Sequence, residues 1–224
     1  MDLSKSYEFF KPDANDTRIH IIGCGSVGST VAENLARCGV KNMTLWDFDD
    51  VEPHNIANQM FTEKHVGMPK VDALRDILLD INPDIKDHIK LEPKGWQGKM
   101  LSGFIMLAVD SIEIRKKIVE QHLDSPYVEA VFDFRTELTG AQHYAADWSD
   151  RKQKERLLMT MDFTHEEAAE ETPVSACGVT LGVVTTVRLV AALGVNNYIR
   201  FVKNEGLWKF VQVDGFYGIL DCFG

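Results

Sequence analysis

Arg18-Ile19-His20-Ile21-Ile22-Gly23-Cys24-Gly25-Ser26-Val27-Gly28 decides the fold: an apolar run passes through a glycine-rich turn and opens a helix. Gly23 permits the tight turn, Gly25 lets backbone N–H groups approach a phosphate with no Cβ in the way, and Gly28 lets the helix pack closely on the strand. The helix N-terminus then adds partial positive charge beside the anion. Gly-x-Gly-x-x-Gly alone also describes a plain strand-to-helix turn, so its flanks carry the argument. An amphipathic helix follows over about 29–37, and a second strand, Met43–Trp46, ends at Asp47, nineteen positions after Gly28. A carboxylate there is placed to accept hydrogen bonds from ribose hydroxyls, which favours a nucleoside over a bare phosphate and suits NAD as well as ATP.

The next segment separates the two. Trp46-Asp-Phe-Asp-Asp-Val-Glu-Pro-His-Asn-Ile-Ala-Asn-Gln-Met-Phe61, followed by Val66-Gly-Met-Pro-Lys-Val-Asp-Ala-Leu74, resembles the ThiF/HesA/MoeB adenylyltransferases, the family that includes the adenylating domains of ubiquitin-activating enzymes. That family carries Asp-x-Asp at the strand end, Asn-x-x-Arg-Gln, and Gly-x-x-Lys opening the next helix. Here these are Asp47 and Asp49, Asn55 through Gln59, and Gly67 and Lys70. The resemblance implies that Gly23, Gly25, Gly28, Asp47, Asp49, Asn58 and Gln59 bind ATP, with Asp47 on the ribose and Asn55 and Lys70 on the triphosphate. An amide donor and an ammonium are chemically suited to phosphate oxygens. The plainer reading makes Asn55 a turn-former and Lys70 a solvated residue at the start of a helix over 70–81.

Phe104-Ile-Met-Leu-Ala-Val-Asp110 is an apolar run ending in a carboxylate, as expected of a buried parallel strand whose last residue meets the crevice of an open sheet. The resemblance implies that Asp110 helps hold Mg²⁺, followed by Arg115 on the next helix; one carboxylate with substrate phosphates is enough for this ion. The alternative is that Asp110 caps the helix over 111–123. The pattern also departs from the family. Asn58 stands where an Arg is expected, and only Lys5 and Lys11 precede Arg18 where related enzymes carry an N-terminal Arg that often reaches across a dimer. Asn is neutral and Lys is a point charge, whereas Arg binds phosphate as a fork. The missing charge is expected from Lys11, Arg115, Arg135 or a partner.

At 224 residues with a formal charge of −10, the chain fits one α/β domain over 1–224, with a nucleotide-binding core at 18–115 and the remaining sheet, a crossover segment and a C-terminal extension in 116–224. No basic cluster points to nucleic acid, no apolar run is long enough for a membrane span, and Met1 to Asp16 does not read as a signal peptide, so a cytoplasmic protein is expected. The four cysteines form no Cys-x-x-Cys pair, so no zinc is expected. Cys24 reads as a small residue tolerated in the turn. Cys177 precedes a helix expected from about 180 to 193, where the helix dipole would make it a candidate nucleophile for thioester transfer; its neighbours Val174, Ala176 and Val179 favour a buried structural thiol instead.

Further strands are expected at 127–134, 140–147, 209–213 and 216–220, and helical segments at 150–161 and 197–203. The expected fold is a doubly wound Rossmann-like, mostly parallel sheet with helices on both faces. The function implied is Mg·ATP-dependent adenylation of the C-terminal carboxylate of a small ubiquitin-like or sulfur-carrier protein with a glycine-ended tail, by a homodimer. An NAD-dependent oxidoreductase and a non-catalytic subunit of the same fold are the alternatives.

Overall fold

The computed structural model describes residues 1–14, 16–162 and 182–224. Its centre is an eight-stranded sheet of order β3-β2-β1-β4-β5-β6-β7-β8. The strands are β1 (Ile19–Ile22), β2 (Met43–Trp46), β3 (Lys90–Glu92), β4 (Gly103–Leu107), β5 (Val128–Thr136), β6 (Gly140–Asp147), β7 (Phe210–Asp214) and β8 (Ile219–Phe223). β1 to β5 pair in parallel, with Ile19 opposite both Met43 and Phe104, and β5 to β8 run antiparallel. The expected doubly wound, mostly parallel α/β architecture is therefore what the chain adopts. Chain direction across the sheet reverses between β1 and β4, which opens a crevice at their carboxyl ends.

Strand alternation sends side chains into two cores. Ile19, Ile21, Phe104, Met106 and Phe132 pack against α1 (Ser26–Arg37), α2 (Lys70–Ile81) and a long final helix, α5 (Val184–Val202). Ile22, Ile105, Leu107 and Val131 face the other way, onto α3 (Ile112–His122) and α4 (Arg151–Met159). Rings anchor the first core: Phe104 meets Tyr198 edge-on with centroids 5.1 Å apart. Such pairs contribute about 0.5–1.5 kcal/mol beyond their burial.

Two expectations need correction, and one strand was not expected at all. Helix α5 is continuous where two pieces are expected, because Gly194 does not break it; Gly194 lies so close to the Phe134 ring that a Cβ would be driven into it. Asn197 is fully buried within the same helix, its Nδ2 donating to the Trp208 carbonyl at 2.8 Å and its Oδ1 accepting from the Trp208 amide at 2.8 Å. The last strand begins at Ile219, since Asp214 Oδ1 gathers the amides of Phe216 and Tyr217 into a turn, each at 3.0 Å. β3 is a short polar edge strand that carries no apolar run to announce it.

Two buried histidines make stability depend on pH. Burial, helped by the nearby Arg18 charge, pushes His20 down from 6.5 to about 4. Burial alone does the same for His143, to about 4, against the opposing hydrogen bond to the Asp133 carbonyl. The unfolded chain therefore binds more protons than the folded one between about pH 4 and 6.5, so stability is complete above that window and falls as pH drops through it. We expect a loss on the order of 2–3 kcal/mol per histidine by pH 4.5, read as a falling urea midpoint; a midpoint that stays level from pH 7 to 4.5 would contradict it.

Candidate nucleotide site at the strand ends

The turn after β1 is pressed against the end of β4. Gly23 has φ +93° and its N–H donates to the Trp46 carbonyl at 2.8 Å; a Cβ there would lie 2.8 Å from the Ala108 backbone. At Gly28 a Cβ would run into the Gly23 carbonyl oxygen. Gly25 differs. Its φ is −74°, and a Cβ added to it would meet nothing within 4 Å. Space is thus left open over the helix N-terminus where an anion is best stabilised.

Asp47, at the end of β2, is locked onto this turn. Its Oδ2 accepts the Cys24 amide at 2.6 Å and its Oδ1 the Asp49 amide at 2.9 Å. Burial raises its pKa while these two bonds oppose the rise. Each oxygen keeps a lone pair for a ribose hydroxyl. Cys24 itself is buried and its thiol is pushed well above the ordinary value by burial, in keeping with a small packed residue.

The chain then doubles back. Val51 N–H donates to the Met68 carbonyl and Gly67 N–H to the Val51 carbonyl, both at 2.8 Å, and Gly67 takes φ +85° to make the return. This brings Lys70 beside Asp49: Nζ donates to Oδ2 at 2.8 Å, and Lys70 is 8 % exposed. The ammonium is therefore not the solvated group of the plainer reading. Asp49 steers it, and its two remaining donors are available to an oxyanion.

Asn55 is also buried. Its Oδ1 accepts the Glu52 amide at 2.9 Å, and because that amide is a fixed donor, Nδ2 must point the other way, as a donor. Gln59, whose N–H donates to the Asn55 carbonyl at 2.9 Å, keeps a buried Oε1 with no partner among the described residues. Asn58 ends this turn, its N–H to the Asn55 carbonyl at 3.4 Å.

Asp110 is exposed just beyond β4. It does not cap α3. Ser111 does, its Oγ accepting the Ile114 amide at 3.2 Å. The cap reading of Asp110 is thus corrected, and its carboxylate is left at the crevice. Among the described residues no group of three or more His, Cys, Asp or Glu side chains gathers as a metal cage, whereas one carboxylate plus phosphate oxygens fits the way Mg²⁺ is usually held.

The expected substitutes for a missing arginine lie elsewhere. Arg115 is 6 % exposed and bound to Asp133 and to the carbonyls of Val109 and Phe134, the last at 2.7 Å. Arg135 donates to Asp133 Oδ2 at 2.8 Å, reaches the Thr160 carbonyl at 2.7 Å and stacks on Tyr144. Lys5 and Lys11 belong to the N-terminal segment, where Leu3 and Pro12 pack on Gly39 beyond the far end of α1, a helix about 18 Å long. Within one chain they cannot reach the turn. Cys177 lies outside the described residues. The sequence reading missed the Asp49–Lys70 pair and the Asp133 cluster, since neither has a spacing signal.

The sheet and its glycine turn define a doubly wound α/β protein, and comparison with known proteins gives the family. The chain belongs to the ThiF family, whose model matches residues 10–220. It is 41% identical over 89 residues to ubiquitin-like modifier-activating enzyme 5 of Caenorhabditis elegans and 37% identical over 89 residues to that of Caenorhabditis briggsae. Those matches cover 40% of this chain and only 20% of each relative. Escherichia coli MccB, solved with AMPCPP and selenomethionine MccA, aligns with a TM-score of 0.73 at 16% identity, over 94% of this chain and 64% of that one. TcdA (CsdL) aligns with a TM-score of 0.68 at 14% identity, over 90% of this chain and 94% of that one. These likenesses establish the fold. No described helix is long and apolar enough to cross a membrane.

The open space at Gly25 gives a direct test. Gly25→Ala should leave the melting temperature nearly unchanged, within about 1 kcal/mol of wild-type stability, because the new Cβ meets nothing. It should weaken Mg·ATP binding at least about tenfold, by occupying the approach to the amides. Unaltered affinity would show that no phosphate comes near this turn.

Proposed function

We propose that the chain, as one adenylation domain, uses Mg·ATP to adenylate the C-terminal carboxylate of a small ubiquitin-like or sulfur-carrier protein with a glycine-ended tail, acting in the cytoplasm as a homodimer. The observation that carries this reading is the convergence, at the carboxyl edge of β1, β2 and β4, of an open glycine turn, the ribose-ready Asp47, the Asp49-steered Lys70 and the uncapping Asp110. ATP, when bound, supplies the α-phosphorus that the carboxylate attacks while pyrophosphate leaves. The protein must then position reactants and offset charge, since a carboxylate is already a nucleophile at neutral pH and needs no general base. Asp47 orients the ribose, Lys70 and the Asn55 amide hold phosphate oxygens, and Asp110 holds Mg²⁺.

Family membership, the partial match to modifier-activating enzymes and the MccB fold, solved with ATP and with AMPCPP, support this reading. An oxidoreductase would leave the Asp49–Lys70 pair and Asp110 without a task. The neutral Asn58 is the one observation in favour of a non-catalytic, partner-binding subunit.

Calorimetry should show Mg·ATP binding and none for NAD; the reverse result would sink the proposal. Asp47→Ala and Lys70→Ala should each weaken ATP by roughly 10- to 150-fold, the equivalent of one charge-assisted contact. Pyrophosphate exchange with candidate glycine-tailed proteins tests the chemistry, and Cys177→Ala separates its steps: loss of a reductant-sensitive conjugate with exchange intact assigns thioester transfer to Cys177, and an unchanged conjugate removes it from the mechanism.

A further inference from the structure

Helix α5 begins beside the Asn55–Gln59 turn. A Cβ on Gly182, just before the helix, would come within 3.0 Å of Asn58 Nδ2. In the second turn of the helix, half-buried Arg188 lays its guanidinium against the Met60 thioether. The Met60 amide in turn donates to Ser29 Oγ at 3.3 Å, on the first turn of α1. Met60 therefore links a guanidinium on α5 to the first turn of α1, the helix whose N-terminus lies at the open space over Gly25.

Its partner is weak. A thioether is a poor acceptor, and a guanidinium carries five N–H donors in a planar fork suited to paired oxyanions. Among the described residues no carboxylate pairs with Arg188, although the chain has 34 acidic residues against 24 Lys and Arg. The other arginines near the strand ends, Arg115 and Arg135, are both engaged by Asp133. Among the described residues Arg188 thus has no acidic partner, and it lies on the side of the Asn55–Gln59 turn where Asn58 is neutral.

We propose that Arg188 is a phosphate-binding residue of this site, reaching the polyphosphate from α5 alongside the neutral Asn58. The role rests on the nucleotide reading above and adds a contact that the sequence motifs do not contain. It also sets a preference, because a cation placed for the polyphosphate favours a nucleoside triphosphate over the nucleoside itself.

Titration of Mg·ATP and of adenosine into wild type, Arg188→Gln, Arg188→Lys and Asp47→Ala tests this. Arg188→Gln should weaken Mg·ATP by about 10- to 150-fold and leave adenosine unchanged, and Arg188→Lys should recover part of the loss. Asp47→Ala should weaken both ligands. If the Gln variant melts early, the ATP-to-adenosine affinity ratio of the uncharged, long-stemmed Arg188→Met variant carries the test, and a wild-type ratio there overturns the role. Unchanged ATP affinity in Arg188→Gln, with Asp47→Ala impaired, overturns the role of Arg188 and leaves the nucleotide site standing. Equal loss of ATP and adenosine shows that Arg188 merely braces Met60, and also overturns it. Failure of the wild type to bind Mg·ATP overturns the nucleotide reading and this assignment with it.

Discussion

Between the turn after β1 and the end of β4 there is no room for a side chain. Gly23 abuts the Ala108 backbone and Gly28 abuts the Gly23 carbonyl, so strand, turn and helix α1 are held at backbone contact. That contact sits at the point where the sheet reverses its winding, and the positions of the surrounding groups follow from it. The Cys24 amide is presented to Asp47, the N-terminus of α1 faces outward over Gly25, and Asp110 emerges on the adjoining strand. A larger residue at Gly23 or Gly28 would force these elements apart, at the cost typical of overpacking, about 1–3 kcal/mol or more.

The crevice so formed is charged in an instructive way. Asp47, Asp49 and Asp110 gather at its edge in a chain of net charge −10, which would repel a polyphosphate if nothing offset them. The arrangement offsets them locally. Asp47 is bound by two amides and Asp49 is paired with Lys70, while Asp110 is the carboxylate proposed to share a divalent cation with the ligand. Meanwhile Asp133 withdraws Arg115 and Arg135 into a buried cluster that ties α3, β4, β5 and the end of α4 together. Such a cluster is costly to desolvate and costlier to break, since removing Asp133 would leave the buried Arg115 cation without its carboxylate and take one from the half-buried Arg135. The same side chains therefore cannot serve both as struts of the sheet and as phosphate ligands. Lys70 remains, with Arg188 as the second cation proposed.

Much of this was legible in one dimension. The Ile19–Gly28 stretch, Asp47, the Asn55–Gln59 turn and Lys70 identified the fold and the family because their information is local: glycine where backbone must approach backbone, apolar runs where strands are buried on both faces, a carboxylate where a strand stops. What the sequence by itself determined was the order of elements and the chemical types along the crevice. Which arginines are withdrawn from it was decided only by the tertiary structure. Arg115 sits beside a motif and is lost to Asp133, whereas Arg188 lies 128 residues from Met60 along the chain and meets it through helix packing. The helix through Gly194 and the polar edge strand β3 were hidden for the same reason. A glycine's role there depends on the Phe134 ring opposite, and a short strand on the neighbour that pairs with it, and neither partner leaves a periodic mark in the sequence.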